Sequence, residues 1–419
     1  MSINIYMFIF LSTCACVRIS FSRAHFGLCM RFSAASVKLF AAQFSIMEAK
    51  PMAAEHIARL IQNMLSPRRG ERMLFLTDFG SKPSASRFSR DGLLSRWHAA
   101  ASLLSEHTGF RVLPMVKYAE SLSPNAELPG TAVTSGGGRV DNLSEFIASA
   151  DIVIAMTEHS VSAPLKNIAK RAAHLRVVSM PGVTVDMEPA MAIDYTRIAE
   201  RGCRLRSVVQ AAAGFEVAFD GAGVPRGTKM YMDTRASNWA LDAGICRVAG
   251  DFINFPSGEL YTPLYEGATP EGQSIYGDSQ TKGIWPVYSY KDRKVAFLQV
   301  DKNRITRVQG DSAESSRIIE DIASDERNAN IAELGLGIND AARCAPGVPV
   351  LEAEKAGPHI AYGRSDHFGS PSSHAGKVAA SLHRDIVYAR STPITATIHA
   401  VYPNGRKLLI AEKGKVIVV

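Results

Sequence analysis

The sequence predicts an α/β protein in which an open, mostly parallel sheet with helices on both faces is followed by a strand-rich α+β metal-binding domain. Three observations carry this. Short apolar runs alternate with segments of helical period from about residue 47 to 213; strands punctuated by Gly and Pro follow; and the chain closes on a hairpin. In order, residues 55–65 repeat apolar side chains at helical spacing, 72–78 read as a short buried strand, 93–107 as an amphipathic helix and 111–115 as a second strand. The cycle returns with a strand at 151–156, a helix at 162–173 and a strand at 175–180 that stops at Pro181-Gly182. Strands joined through helices pair in parallel, which predicts the open sheet of residues 47–213. From Phe215 the texture changes to short strands, and Pro403-Asn404-Gly405 supplies the turn of a terminal hairpin. Residues 214–419 are therefore expected to form the second domain.

Residues 1–46 stand apart. Arg18, Arg23, Arg31 and Lys38, with no acid among them, account for four of the seven net positive charges of the 419-residue chain. The apolar run near the start is shorter than the span of about 20 residues that crosses a bilayer, and its charges follow it instead of preceding it. The segment reads as a transit-like leader, or as sequence upstream of a true start at Met47, and it is left out of the fold argument. The remaining charge is nearly balanced, and no Lys/Arg block is interleaved with aromatics, so nucleic-acid binding has no support. Beyond the leader only Cys203, Cys246 and Cys344 remain, widely spaced; this excludes a disulfide framework and a thiolate zinc site and predicts a reducing, cytoplasmic setting unless the leader directs the chain to an organelle.

Two nucleotide-site motifs fail on inspection. Gly136-Gly137-Gly138 lacks the G-x-G-x-x-G spacing and has no Walker lysine after it, so it reads as a loop. Thr157-Glu158-His159-Ser160 follows a strand's carboxyl end, where such sheets gather ligands, but Ser160 or Ser162 is expected to cap the next helix.

Chemistry concentrates near the end of the chain, where five of the eleven histidines lie beyond residue 358. A strand through SLHRDIV sends His383 and Asp385 out of the same face, and His359 in GPHIAYG adds a second imidazole. Two histidines and a carboxylate suit iron(II) or zinc, and Glu333 in AELGLGIN could admit a second ion. Glu259 lies in NFPSGELYTP between a Pro/Gly turn and an extended exit, a rigid surround for a pre-positioned carboxylate. Each residue alone has a bland account, as a solvated strand, a turn histidine or an exposed glutamate; the grouping is what points to a site.

NFPSGELYTP, AELGLGIN, HIAYG and LHRDIV occur in the order found in the metal-dependent aminopeptidase family typified by aminopeptidases T and S, and VVSMPGVTVDM resembles that family's link near the end of its first domain. The resemblance runs from about Met47 to the C-terminus. It implies a dimeric enzyme with two zinc, cobalt or manganese ions held by Glu259, Glu333, His359, His383 and Asp385, a proton shuttle at Glu259 or Glu333, and peptide substrates. One departure matters. The family has a tyrosine seven residues after the HIA histidine, where this chain has Asp366, followed by His367; both are expected near the substrate, Asp366 as a dock for its amino group. The same superfamily includes 2,5-dihydroxypyridine dioxygenase, which implies an alternative: one iron(II) on His359, His383 and Asp385, and a small aromatic substrate. A non-catalytic, metal-stabilised binding protein is the third reading.

Overall fold

The computed structural model describes residues 51–80, 85–120, 126–267, 276–368 and 375–417, together with three antiparallel strands within residues 1–50, Ile3–Ile9, Ala15–Phe21 and Leu28–Phe32. Residues 1–51 form a unit of their own, and residues 52–419 form the other.

The second unit begins with the helix Ala54–Leu65, whose buried Ile57, Leu60, Ile61, Met64 and Leu65 recur at the three- and four-residue spacing that made it legible in sequence. Its chain then enters an eight-stranded sheet. Phe252–Asn254, Arg176–Ser179, Ile152–Met156, Arg72–Phe79 and Val116–Ala119 run parallel in that spatial order, with Arg111–Val112 beside the first part of Arg72–Phe79. Ala132–Thr134 and Arg139–Val140 close one edge as an antiparallel hairpin, with the glycine cluster as its turn and Gly137 at a φ of 81°. Side-chain alternation divides each central strand between two cores. Met73, Phe75, Ile152 and Ile154 pack with Leu60 and Trp97 on one face, while Leu74, Leu76, Val153 and Ala155 pack with Leu165 and Ile168 on the other. Burial on both faces explains why these strands read as continuous apolar runs.

Several sequence expectations shift at their edges. The predicted 111–115 strand breaks at Pro114 into Arg111–Val112 and Val116–Ala119, because proline brings no N–H to the ladder. The second helix is longer than expected, Ala85–Thr108. Ser162 is the first residue of the helix Ser162–Arg171 and not its cap; Val161 holds that position, and the Ser160 hydroxyl accepts the Ser162 N–H at 3.3 Å.

Two antiparallel sheets complete the unit. The larger has eight strands, with Gly214–Gly221 between Lys229–Asp233 and Ile394–Val401 at its centre. The smaller has five, in the order Ala240–Asp242, Glu259–Pro263, Ile331–Gly337, Pro358–Gly363, His383–Val387. Aromatic side chains join them: Trp285 of the larger sheet meets Tyr362 of the smaller at 6.2 Å between ring centroids and donates to the Tyr388 hydroxyl. Each such ring contributes about 1.5–3 kcal/mol by leaving water. Tyr362, Ile360, Leu334 and Leu336 thus face the core, and strand alternation turns their neighbours to the opposite face of the small sheet.

Candidate metal centre

That opposite face is a grid set by strand register. Asp242, Glu259 and Gly337 lie in one row; Tyr261, Gly335 and His359 in the next; then Pro263, Glu333, Ala361 and Asp385; and finally Gly363 and His383. Directly opposed residues share a face, so four separate sequence motifs deliver their polar groups to one surface. AELGLGIN also makes the room. A Cβ on Gly335 would lie inside the His359 ring, and one on Gly337 would overlap the carbonyl of Glu354, so the glycines alternate with Leu334 and Leu336 for steric reasons.

Polar atoms converge within this space. His359 Nε2 is 3.3 Å from Glu333 Oε1 and 3.5 Å from Glu259 Oε2, while His383 Nε2 is 3.3 Å from both Glu333 Oε2 and Asp385 Oδ1. Ligating atoms of Glu333, His359 and Asp385 all lie within 4.8 Å of one another. All five metal-ligand candidates of the sequence are therefore brought together. Each imidazole is oriented through its other nitrogen: His383 Nδ1 faces the Arg364 carbonyl at 2.7 Å and His359 Nδ1 the Gly357 carbonyl at 3.4 Å. A proton held there leaves Nε2 as a lone pair directed at the carboxylates, the tautomer that a metal needs.

The donor set fits a divalent ion. Donors around a four-coordinate ion with bonds of about 2.1 Å stand roughly 3.4 Å apart, close to the separations observed. Glu259 Oε2 is buried without a hydrogen-bond partner, the kind of orphaned acceptor that a cation satisfies. In the absence of an ion the histidines must take protons to balance the acids. Burial opposes a charge on His359, but the hydrogen bond to Glu333 and the nearby carboxylates outweigh it and raise its pKa to about 10. Burial would likewise raise Glu333, yet His359 and His383 bring it down to about 2.

The group that seals one end carries no signature in the sequence. Lys355 has no exposed surface; its ammonium donates to Glu259 Oε1 and, at 2.5 Å, to Glu354 Oε1. Its charge wins against burial because Glu259, Glu354 and Asp242 surround it, and its pKa is raised well above the usual value. A lysine preceding Ala-Gly-Pro has no pattern that distinguishes it from a surface residue; only the fold buries it. The other end is more open, the side chains of His383 and Asp385 being 21% and 11% exposed against 1% for His359. Rings gather at that end: His367 and Phe368 lie 5.0 and 5.4 Å from the His383 ring, and Tyr261 lies 5.2 Å from Phe368. Burial, then the charge of His383, lowers the pKa of His367 to about 2, so it stays neutral. Asp366 is turned to Arg364, which it binds through both carboxylate oxygens at 2.5 and 3.0 Å. His374 lies outside the described residues.

Comparison with known proteins adds one finding. No family description and no curated protein matches the chain. Its fold is similar to that of 2,5-dihydroxypyridine dioxygenase from Pseudomonas putida KT2440. The TM-score is 0.60 at 14% identity, over 88% of this chain and 99% of that one. At that identity the likeness establishes the α/β architecture and no more. Among the described residues no helix is long and apolar enough to cross a membrane.

Proposed function

We propose that the protein is a metal-dependent dioxygenase that opens a hydroxylated aromatic ring. The observation that carries this reading is the convergence of His359, His383, Asp385 and Glu333 at 3.3 Å spacings on one face of the small sheet. Two histidines with carboxylates and an open side suit iron(II), which when bound supplies the redox chemistry that lets dioxygen react with an electron-rich ring. Those four residues would hold the ion, and the Arg364 and Gly357 carbonyls would fix the imidazoles. Tyr261, His367 and Phe368 give the open end an aromatic wall against which a flat substrate stacks. His367, neutral at working pH, hydrogen-bonds a ring hydroxyl without adding charge. The name of the structural neighbour agrees with this substrate class.

Aminopeptidase chemistry is the second reading, favoured by Glu333, whose two oxygens face different histidines as a carboxylate bridging two ions would. Against it, Asp366 is already paired with Arg364 and so is not free to dock a substrate amine. The test is oxygen uptake by anaerobically purified protein loaded with iron(II) and offered 2,5-dihydroxypyridine and carbocyclic para-diols, beside peptide hydrolysis by protein loaded with zinc or manganese. Ring-dependent oxygen consumption, mole for mole, is expected; hydrolysis without oxygen uptake would transfer the assignment to the peptidase.

A further inference from the structure

We infer that Lys355 occupies the position of a second cation, so that this carboxylate-rich centre takes one metal ion and not two. The inference rests on the metal-binding reading of the site but not on which reaction the metal serves.

The centre has more acid than one ion needs. Glu333 and Asp385 face His383, while Glu259 and Glu354 converge a few ångströms away on a different point, with Asp242 opposite Glu259 across the strand pair. With Glu333 presenting one oxygen to each histidine, the outline is that of two adjoining cation positions sharing a carboxylate. In the second of them sits the Lys355 ammonium. It is fully buried, donates to Glu259 and Glu354, and leaves only Glu259 Oε2 directed back toward His359. A divalent ion placed between Glu259 and Glu354 would have to displace that ammonium or lie against it, and like charges without water between them repel strongly.

The lysine is also held by its backbone. The Asn339 N–H donates to the Lys355 carbonyl at 3.0 Å and the Gly337 N–H to the Gly357 carbonyl at 3.0 Å, a close approach of the Glu354–Ala356 turn to the strand that Gly337 permits. Asn339 is anchored in turn by its side-chain amide, which donates to the carbonyls of Ser257 and Ala190. Side chain and main chain therefore both fix the ammonium in place, as a built-in ligand of the two glutamates. Lys355 is a positioning and metal-number residue, its ammonium paired with Glu259 and Glu354.

The test counts ions directly. Full-length protein stripped of metal is titrated with Mn(II) alone, bound ions are counted by equilibrium dialysis, and electron paramagnetic resonance reports whether bound ions are isolated or exchange-coupled. Unaltered protein is expected to bind one isolated Mn(II). Lys355→Ala is expected to bind two with a coupled spectrum, and Lys355→Arg, which restores a cation, to return to one. If Lys355→Ala does not fold, the volume-matched Lys355→Gln takes its place with the same expectation. Two coupled ions in the unaltered protein would overturn the role of Lys355 while leaving the metal site standing, and a single ion in both neutral variants would overturn it as well. No bound ion in any of them would remove the metal reading itself.

Discussion

Asp78 with the half-buried Glu158 at the mouth of the parallel sheet, and Glu333 with Asp385 on the five-stranded sheet, are both carboxylate pairs, yet different cations balance them. At the first place the chain supplies the countercharge permanently. Arg90, with a side chain 1% exposed, reaches Asp78 at 2.9 Å and Glu158 at 2.5 Å, and the Glu158 N–H donates to both oxygens of Asp78. From Arg72–Phe79 the chain passes to Val116–Ala119 on one side and only later, after Arg139–Val140, to Ile152–Met156 on the other, and such a switch in strand order is where open α/β sheets commonly take a ligand. Here an internal guanidinium holds the two acids. At the second place only imidazoles face Glu333 and Asp385, and an imidazole is a cation or a metal ligand according to its proton. A buried acid paired with arginine is a structural element; a buried acid paired with histidine Nε2 can exchange its partner. Lys355 puts both arrangements within one site, closing the Glu259 end with a fixed cation and leaving the His383 end free.

The contrast can be broken at either place. The largest effect is expected from Asp385→Ala, which removes the carboxylate 3.3 Å from His383 Nε2 at the open end. Metal affinity should fall by well over the roughly 100-fold typical of losing a partner of a ligand, with the fold intact by circular dichroism. Undiminished metal content would remove Asp385 from the ligand set. Next, Arg90→Met leaves Asp78 and Glu158 without their cation. It should cost about 3–5 kcal/mol in urea unfolding while the metal count stays unchanged. A loss of under about 1 kcal/mol would mean that the crevice tolerates its acids without the arginine, and loss of metal would mean that the two regions are not independent.

Gly335→Ala sharpens the comparison by moving a ligand without deleting it. The new methyl must push the His359 ring aside, so metal affinity is expected to fall about 10- to 100-fold with His383 and Asp385 untouched; isothermal titration with Mn(II) measures this, and wild-type affinity would show that His359 is not a ligand. The smallest effect concerns pH. In the metal-free protein His359, raised from 6.5 to about 10, contributes stability that is complete below pH 6.5 and is lost as pH rises through about 10. Glu333, lowered from 4.5 to about 2, contributes above pH 4.5 and loses that contribution as pH falls through about 2. Metal-free protein should therefore be progressively destabilised between pH 6.5 and 10 in urea titrations, and metal-loaded protein, whose imidazoles carry no proton on Nε2, should not share the decline. Parallel curves would count against metal replacing those protons.

The parallel sheet was legible because its strands are buried on both faces and its helices on one, so composition and period alone report them. His383 and Asp385 were legible for a related reason: a spacing of two on a strand fixes a common face whatever the strand packs against. The edges were not, since Pro114 divides one expected strand and the strand Phe252–Asn254 joins the parallel sheet from far along the chain. Nor was the purpose of AELGLGIN, which in sequence offers one glutamate and in space offers a glutamate and two clearances.

Sequence by itself determined which candidate donors the chain carries and that His383 and Asp385 share a face, because donor type and strand period are local properties. Tertiary structure decided which cationic side chain meets those donors and which rings gather beside them. Lys355 meets Glu259 across 96 residues, and Asp366 is withdrawn by Arg364 while His367 and Phe368 come to rest beside His383. Such facts depend on strand order and register, through which segments distant in the chain reach a single face, and no pattern confined to one segment encodes them.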